Sequence, residues 1–496
     1  MNPLDRRDFV AMLTTSLGGL ALGASAQPTP NAGTQAHGGD VAGRRPNVVL
    51  MICDDLGYGD LGCYGSSVRT PNLDRMASEG IRFTRFNTAH PICSASRSAL
   101  LTGRYATRTG TKPVYFPSST DGMNLDEQTI ANLLHERHYR SMCVGKWHLG
   151  SLPEYLPTSR GFDAYFGVPY SVDMNPLPLI RDKEVVEKEA DRALLTPMYT
   201  KAAVEFLEAS SPEPFFLYMA FSYPHIPISA SPRFKGRSQQ GIYGDALEEI
   251  DWSVGQILET LQRRGLEEDT LVLFTSDHGP WFQGMPGPHR GRKGTTFEGG
   301  CRIPFLARWK GTIPAGGVCD GWACNLDVVP TLTSICGAKG PVKPLDGVDV
   351  SGLLTGDATV VERPDPLLYF SGMGRGFDLQ CARRQNWKLR FAQYANAPYV
   401  LGNPGGPNFW LTKPELYNLE DDPGESYDVA DEHSEMVKEI LAEVDGCVPS
   451  FPQHVVEVYE ELKKNPDSAT TPAGAGPRPV KFVAPAAHYE GVPGQK

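Results

Sequence analysis

The run CSASRSALLTGR, from Cys93 to Arg104, combines a thiol, hydroxyls and a guanidinium within one helical turn. Small residues come first, apolar ones follow, and Gly103 supplies a stop. Ser94 to Leu101 is therefore expected to begin a helix, with Cys93 at or just before its N-terminus. Unpaired N–H groups there favour an anion. They also activate a cysteine, and Arg97, one turn on, can aim its guanidinium at the same anion. Taken alone, C-x-x-x-R reads better as a buried cysteine beside a surface arginine. The spacing is not the five-residue separation of a thiol phosphatase loop.

Other chemistry-bearing residues fall where strands should end. NVVLMIC, Asn47 to Cys53, is an apolar run of strand length, buried on both faces, and it stops at Asp54-Asp55. Met142 to Val144 runs into Lys146-Trp147-His148, Phe215 to Phe221 into Tyr223-Pro224-His225, and Leu271 to Phe274 into Asp277-His278. Thr70-Pro71 should start a helix that Gly80 ends, with Thr70 as N-cap. Leu247, Ile250, Val254, Ile257, Leu258 and Leu261 recur at helical spacing before Gly265. Strands alternating with helices predict an α/β fold. It is a large, mainly parallel or mixed sheet flanked by helices, with ligands at the strands' C-terminal ends. If the strands are neighbours, Asp54, Asp55 and Asp277 meet. Adjacent carboxylates repel unless a cation or protons intervene, and a hard divalent cation suits oxygen ligands. Lys146 supplies charge to an anion, and His148 a proton acceptor near neutral pH.

The Cys93–Arg104 string resembles the sulfatase signature, C-x-[PA]-S-R followed by L-T-G-R. DDLGYGDLG from Asp54, KWHLG from Lys146, the PHIP around His225, SDHG from Ser276 and RKGTTFEGG from Arg292 resemble further family elements, in the family's order. The resemblance spans roughly Arg45 to Val448 and is closest to the arylsulfatase A and N-acetylgalactosamine-6-sulfatase branch. It implies a sulfuric ester hydrolase of the alkaline phosphatase superfamily fold. In that family the cysteine is converted to formylglycine, whose hydrate attacks sulfur. Cys93 would be the nucleophile's precursor, with Arg97, Lys146 and Lys293 balancing charge on the sulfuryl oxygens. His225, with Lys293, would protonate the leaving alcohol, and His148 would deprotonate the second hydroxyl. One calcium ion would be held by Asp54, Asp55, Cys93 as formylglycine, Asp277 and His278. Many members carry Asn at the position of His278, and imidazole is a less natural calcium ligand than an amide oxygen. Arg292 replaces a family glycine, and Ala95 the commoner proline.

The chain has 496 residues, 40% hydrophobic and 21% charged, enough for one large domain and a smaller one. A net charge of −11 argues against a general nucleic-acid binder. Ten cysteines lack metal-ligand spacing. Arg6-Arg7, a mild apolar run and Ala24-Ser25-Ala26 resemble a twin-arginine signal peptide over residues 1–26. A Gly/Ala/Pro-rich disordered leader follows over 27–45. The catalytic domain should span 46–365, a C-terminal antiparallel-sheet subdomain 366–462, and a Pro/Ala/Gly-rich tail 463–496. Export to a bacterial periplasm or beyond follows, without a stable membrane anchor. The partners would be the twin-arginine machinery, a formylglycine-generating enzyme and a sulfated small molecule or glycan, a carbohydrate sulfate being the first choice. A phosphate ester hydrolase of the same fold, or a non-catalytic sulfoglycan-binding protein, is the alternative. His289, Arg290 and Arg292 read first as a solvated basic loop. Arg383, Arg384, Lys388 and Arg390 read first as an exposed face and second as a pocket rim.

Overall fold

Strand β1 (Asn47–Cys53) is buried at every residue. Alternate side chains point to opposite faces of a strand. Val48, Leu50 and Ile52 enter one apolar core, and Val49, Met51 and Cys53 enter the other. A strand that is apolar on both faces belongs in the middle of a covered sheet. Each aliphatic side chain fully buried there stabilises the fold by about 1.5–3 kcal/mol. The structure is a computed structural model. It describes residues 45–464, except 210, 372–377 and 395–407. The expected signal segment, nearly all of the leader and nearly all of the tail lie outside the described residues.

In chain order there follow α1 (Pro71–Glu79), β2 (Ile81–Asn87), α2 (Cys93–Thr102), α3 (Ile130–His135), β3 (Arg140–Gly145), β4 (Ala164–Gly167), β5 (Leu179–Arg181) and β6 (Glu184–Glu187). Next come α4 (Leu195–Glu208), β7 (Phe215–Ala220), α5 (Gly241–Arg263), β8 (Thr270–Ser276), α6 (Glu298–Cys301), β9 (Arg302–Arg308), β10 (Gly317–Cys319), β11 (Ala323–Cys324), α7 (Val328–Cys336) and α8 (Ser351–Thr355). The strands form a mixed sheet in the order β10-β2-β9-β8-β1-β7-β3-β4-β5-β6, with β11 also on β2. The centre is parallel: β1 pairs with β7 and β8, and β3 with β7 and β4. β9 runs antiparallel between β8 and β2, and β5 and β6 close the other edge antiparallel. Helices α1, α4 and α5 cover one face, and α3, α7 and α8 the other.

The apolar positions of α5 face the sheet as their spacing predicts, and Gly265 follows the helix at φ 65°. Thr70 precedes α1 as expected, but its side chain does not cap the helix. Its hydroxyl accepts from Gly62 N–H instead. The Asp251 carboxylate, on α5, accepts from Asn72 N at 2.9 Å and Leu73 N at 2.8 Å. The cap thus comes from a distant helix, which couples α1 to α5.

A separate antiparallel sheet is built from β12 (Leu367–Phe370), β13 (Leu379–Arg384), β14 (Trp387–Tyr394) and β15 (Asn408–Asn418). Helices α9 (Ser434–Cys447) and α10 (Gln453–Lys463) pack with it around a third apolar core. Strand β15 ends at Asn418, and a turn begins at Leu419. Among the described residues, no helix is long and apolar enough to cross a membrane.

Candidate active site

Strand register brings the chemistry together. Ile52 pairs with Ala220, Ala220 with Gly145, and Cys53 with Ser276. The four central strands therefore stop at one level. The residues that follow them, Asp54-Asp55, Asp277-His278, Lys146 to His148 and the segment leading to His225, form one row at the C-terminal edge. Gly145 is required at this edge. It sits at φ 103°, and a Cβ there would lie 1.9 Å from Ala220 O. Asp55 and His148 also hold positive φ, 68° and 63°. That conformation disfavours side chains other than glycine and concentrates at functional sites.

Helix α2 delivers Cys93 and Arg97 to the same edge. All ten of its residues are buried, its N-cap Ile92 offers no side-chain acceptor, and Gly103 closes it at φ 67°. Cys93 Sγ lies 3.3 Å from His278 Nε2 and 3.6 Å from Asp54 Oδ1. Arg97 donates to Asp277 Oδ2 from Nε at 3.2 Å and from Nη2 at 3.0 Å, and to Lys146 O from Nη1 at 3.1 Å. Lys146 Nζ meets Asp54 Oδ2 at 2.6 Å, and Lys293 Nζ meets Asp55 Oδ1 at 2.7 Å. Three carboxylates thus face three cations. Burial alone would push the Asp54 carboxyl up, but Lys146, His225 and Arg97 hold it well below the usual range. Lys293, then His225 and His278, outweigh burial at Asp55 in the same way.

Asp54, Asp55, Cys93 and His278 offer donor atoms that all lie within 4.8 Å of one another. Asp277 stands beside this set rather than within it. Its Oδ2 is taken by Arg97, and its Oδ1 accepts from Asp55 N at 3.2 Å and His278 N at 3.0 Å. His278 Nδ1 donates to Gly279 O at 2.9 Å, which leaves the Nε2 lone pair facing inward. That lone pair is 3.5 Å from Asp55 Oδ1 and 3.6 Å from Asp277 Oδ1. Acceptors crowded this closely repel unless a cation lies among them. The donor set therefore fits a divalent metal ion.

The histidines differ in position and in electrostatics. His148 Nε2 donates to Tyr115 O at 3.0 Å, and its Nδ1, buried, finds no partner among the described residues. Burial, then Lys146 and Arg97, hold the imidazole well below its ordinary pKa. His148 is therefore a neutral base with a free lone pair. His225 Nδ1 donates to Ile226 O, and Nε2 stands 3.5 Å from Ser171 Oγ and 3.8 Å from Asp55 Oδ2. Burial and Lys293 push it down, but Asp55 and Asp54 outweigh them and raise its pKa. His148 is 1% exposed, Cys93 2%, His225 6% and Lys293 9%, so the site opens on the His225–Lys293 side.

Several groups that fix this geometry were not among the site residues assigned from the sequence. Ser96 Oγ bonds Asp277 O and is itself held by Asn325 Nδ2 at 3.1 Å and Thr88 Oγ1 at 2.9 Å. The Tyr115 carbonyl that sets the tautomer of His148 is backbone, so no residue type announces it. Of the basic residues flanking Lys293, His289 is buried, Arg292 half-buried and Arg290 exposed, and each donates to a backbone carbonyl. His289 Nδ1 donates to Pro423 O, Arg290 donates to Glu425 O, and Arg292 donates to Trp281 O and Gly284 O. Arg383, Lys388 and Arg390 are buried as well, neither an exposed face nor a pocket rim, and only Arg384 of the four is partly exposed.

Residues 46–338 match the family model described as Sulfatase, and residues 362–476 the one described as the C-terminal region of aryl-sulfatase. Human arylsulfatase A is 37% identical over 86% of this chain and 89% of its own length. The N-acetylgalactosamine-6-sulfatase of Canis lupus familiaris is 39% identical over 71% and 73%. Among solved structures, a protein in complex with a k-i-k-neocarrahexaose superposes with a TM-score of 0.70 at 28% identity, covering 85% of this chain and 96% of that one.

Proposed function

The chain belongs to the sulfatase family, an enzyme family that hydrolyses sulfate esters, and from that premise we propose that it releases sulfate from a carbohydrate through a formylglycine made from Cys93. The observation that carries the mechanism is the convergence of three carboxylates and three cations on Cys93 Sγ at a helix N-terminus. The three charges of each sign cancel. A divalent cation alone would leave the buried site positive, and an entering sulfate ester, a monoanion, offsets part of that charge.

A calcium ion would be held by Asp54, Asp55, His278 and the oxidised residue 93, with Asp277 orienting Asp55 and His278 through their N–H groups. When bound it supplies Lewis-acid stabilisation of charge on sulfuryl oxygens. The hydrated aldehyde at position 93 supplies the attacking oxygen and a second hydroxyl. Arg97, Lys146 and Lys293 then surround the sulfuryl group with charge that is already in place before reaction. The leaving alcohol must lie toward the opening, where His225 and Lys293 stand. His225, at the less buried side of the site, gives its Nε2 proton to that alcohol, assisted by Lys293. His148, deep and neutral, would take at Nδ1 the proton of the second hydroxyl, so that this oxygen becomes the aldehyde carbonyl as the C–O bond to sulfate breaks.

A carbohydrate substrate is supported by the sugar-sulfatase relative and by the oligosaccharide bound to the solved neighbour. Export by the twin-arginine route fits the ten free cysteines, because a chain folded in a reducing cytoplasm forms no disulfides. The maturation enzyme would then act on the cytoplasmic, unfolded chain, and the folded product would reach the periplasm or beyond. The test is the mass of the peptide across Cys93 in natively matured protein, paired with sulfate release from a panel of sugar sulfates and matching phosphates. Formylglycine with sulfate release is expected. An unmodified cysteine in active protein refutes the mechanism, and faster phosphate release refutes the substrate.

A further inference from the structure

We infer that Lys388, on the C-terminal sheet, is a positioning residue for sulfate hydrolysis: through Glu298 it clasps the loop that presents Lys293 to the site. The inference rests on the role proposed for Lys293. Lys293 sits at the middle of a loop whose two ends are fastened to the C-terminal sheet and the turn after it. At one end His289 and Arg290 donate to the carbonyls of Pro423 and Glu425. At the other, Thr296 Oγ1 donates to Gln380 Oε1 at 2.9 Å and accepts from Arg390 Nη1 at 3.1 Å. The Arg390 guanidinium also lies 3.7 Å from the centroid of the Phe297 ring.

Glu298 is the hub. It is fully buried at the start of α6, and Lys388 Nζ binds its Oε1 at 2.9 Å. The same ammonium binds Glu425 Oε1 at 3.1 Å, while Glu425 Oε2 accepts from Glu298 N–H. Lys388 thus bridges two buried carboxylates; Glu298 also has Arg302 Nε at 2.8 Å and Asn87 Nδ2 at 3.1 Å, whereas Glu425 Oε1 has Lys388. Without Lys388 the turn bearing Glu425 loses its tie to α6, which loosens the His289–Arg290 end of the Lys293 loop while Thr296 keeps Gln380 and Arg390. Lys388 is bonded to none of Asp54, Asp55, Cys93 or His278, so its influence on the reaction passes through that loop.

The test is a double-mutant cycle in matured full-length enzyme, with Lys388→Met, Lys293→Ala and the pair, read as kcat/KM for sulfate release. A misplacement near 1 Å costs about 10²-fold in rate, and that is the loss expected for Lys388→Met alone. In the Lys293→Ala background the same change should matter by no more than about twofold. Hydrogen exchange should accelerate in residues 289–298 and not in β1, β7 or β8. If Lys388→Met does not fold, Arg390→Met takes its place, because it frees Thr296 and Phe297 without unpairing the two carboxylates. Equal losses in both backgrounds, or exchange that quickens throughout the chain, would make the clasp purely structural and overturn the proposal. A fully active Lys293→Ala enzyme would instead refute the role of Lys293, and the proposal with it.

Discussion

Replacing Lys146 by Met should destabilise the protein and make its stability depend on calcium. Lys146 Nζ and Asp54 Oδ2 are 2.6 Å apart and both side chains are fully buried. At an effective dielectric near 20, that separation corresponds to about 6 kcal/mol of gross attraction. Removing one partner of a buried pair typically costs about 3–5 kcal/mol, because the other charge is left uncompensated. Arg97 Nη2, 3.5 Å from Asp54 Oδ1, still compensates part of that charge. The loss should therefore fall near about 3 kcal/mol in chelator. Methionine keeps the stem's volume, so little of this is a cavity. Calcium at a hundredfold excess over its Kd stabilises any native state that binds it by about 2.7 kcal/mol. In the variant it also neutralises the orphaned Asp54, so its stabilising increment should exceed that in the unmodified sequence. Urea unfolding of both proteins in EDTA and in calcium measures the two increments. In matured enzyme, kcat/KM should fall by about 10²–10³ with the loss of one preorganised charge. Equal calcium increments in the two proteins, with activity within about threefold of the parent, would refute the placement of Lys146 and the metal on the same carboxylate.

His225→Ala in matured enzyme should lower kcat/KM on sugar sulfates by about 10²–10⁴ and on activated aryl sulfates much less, since an acidic phenol leaves without a proton. His148→Ala should instead release about one equivalent of alcohol per enzyme in a burst and then stall on either substrate; a steady rate without a burst would remove it from the second step. Burial pushes His90 down to about 3, so its neutral form belongs to the fold. Its contribution is complete above the unfolded value near 6.5 and is lost as pH falls toward 3, at about 1.4 kcal/mol per pH unit. His90→Gln keeps an acceptor for Ala106 N–H, so the stability gap between parent and variant should shift by about 2 kcal/mol from pH 6.5 to pH 5; a constant gap would show that His90 does not titrate on unfolding. Asp251→Ala should cost about 1–3 kcal/mol in urea unfolding by orphaning the first N–H groups of α1, and an unchanged midpoint would mean that water replaces the carboxylate.

The chemistry at the strand ends was legible because it is local. The apolar run from Asn47 to Cys53 stops at two aspartates, and the small residues after Cys93 open a helix, whatever lies elsewhere in the chain. Such patterns reflect burial along one element, and they place Asp54, Asp55, Cys93, Lys146 and Asp277 at element ends, with Arg97 one turn into its helix, without reference to a partner. The antiparallel insertion of β9 between β2 and β8 had no comparable signal, because the pairing of β9 with β2 joins segments more than two hundred residues apart.

Charge on a strand shows the limit most clearly. Arg383, Lys388 and Arg390 look like an exposed face, because a charged residue is buried only when a partner is there to receive it. Their partners, Glu298, Asn87 and Thr296, come from the catalytic part of the chain. Likewise the residue types of His148, His225 and His278 name a base, an acid and a ligand equally well. Which histidine is which depends on what the other ring nitrogen bonds to: the carbonyls of Tyr115, Ile226 and Gly279. It depends too on which charges stand nearby. The sequence by itself determined which residue types gather at the sheet's C-terminal edge, since strand length and periodicity decide where each apolar run must stop. Only the tertiary structure decided which carboxylate takes which cation, and which histidine keeps its proton, because Coulomb energies and hydrogen bonds depend on distances that no spacing along the chain contains.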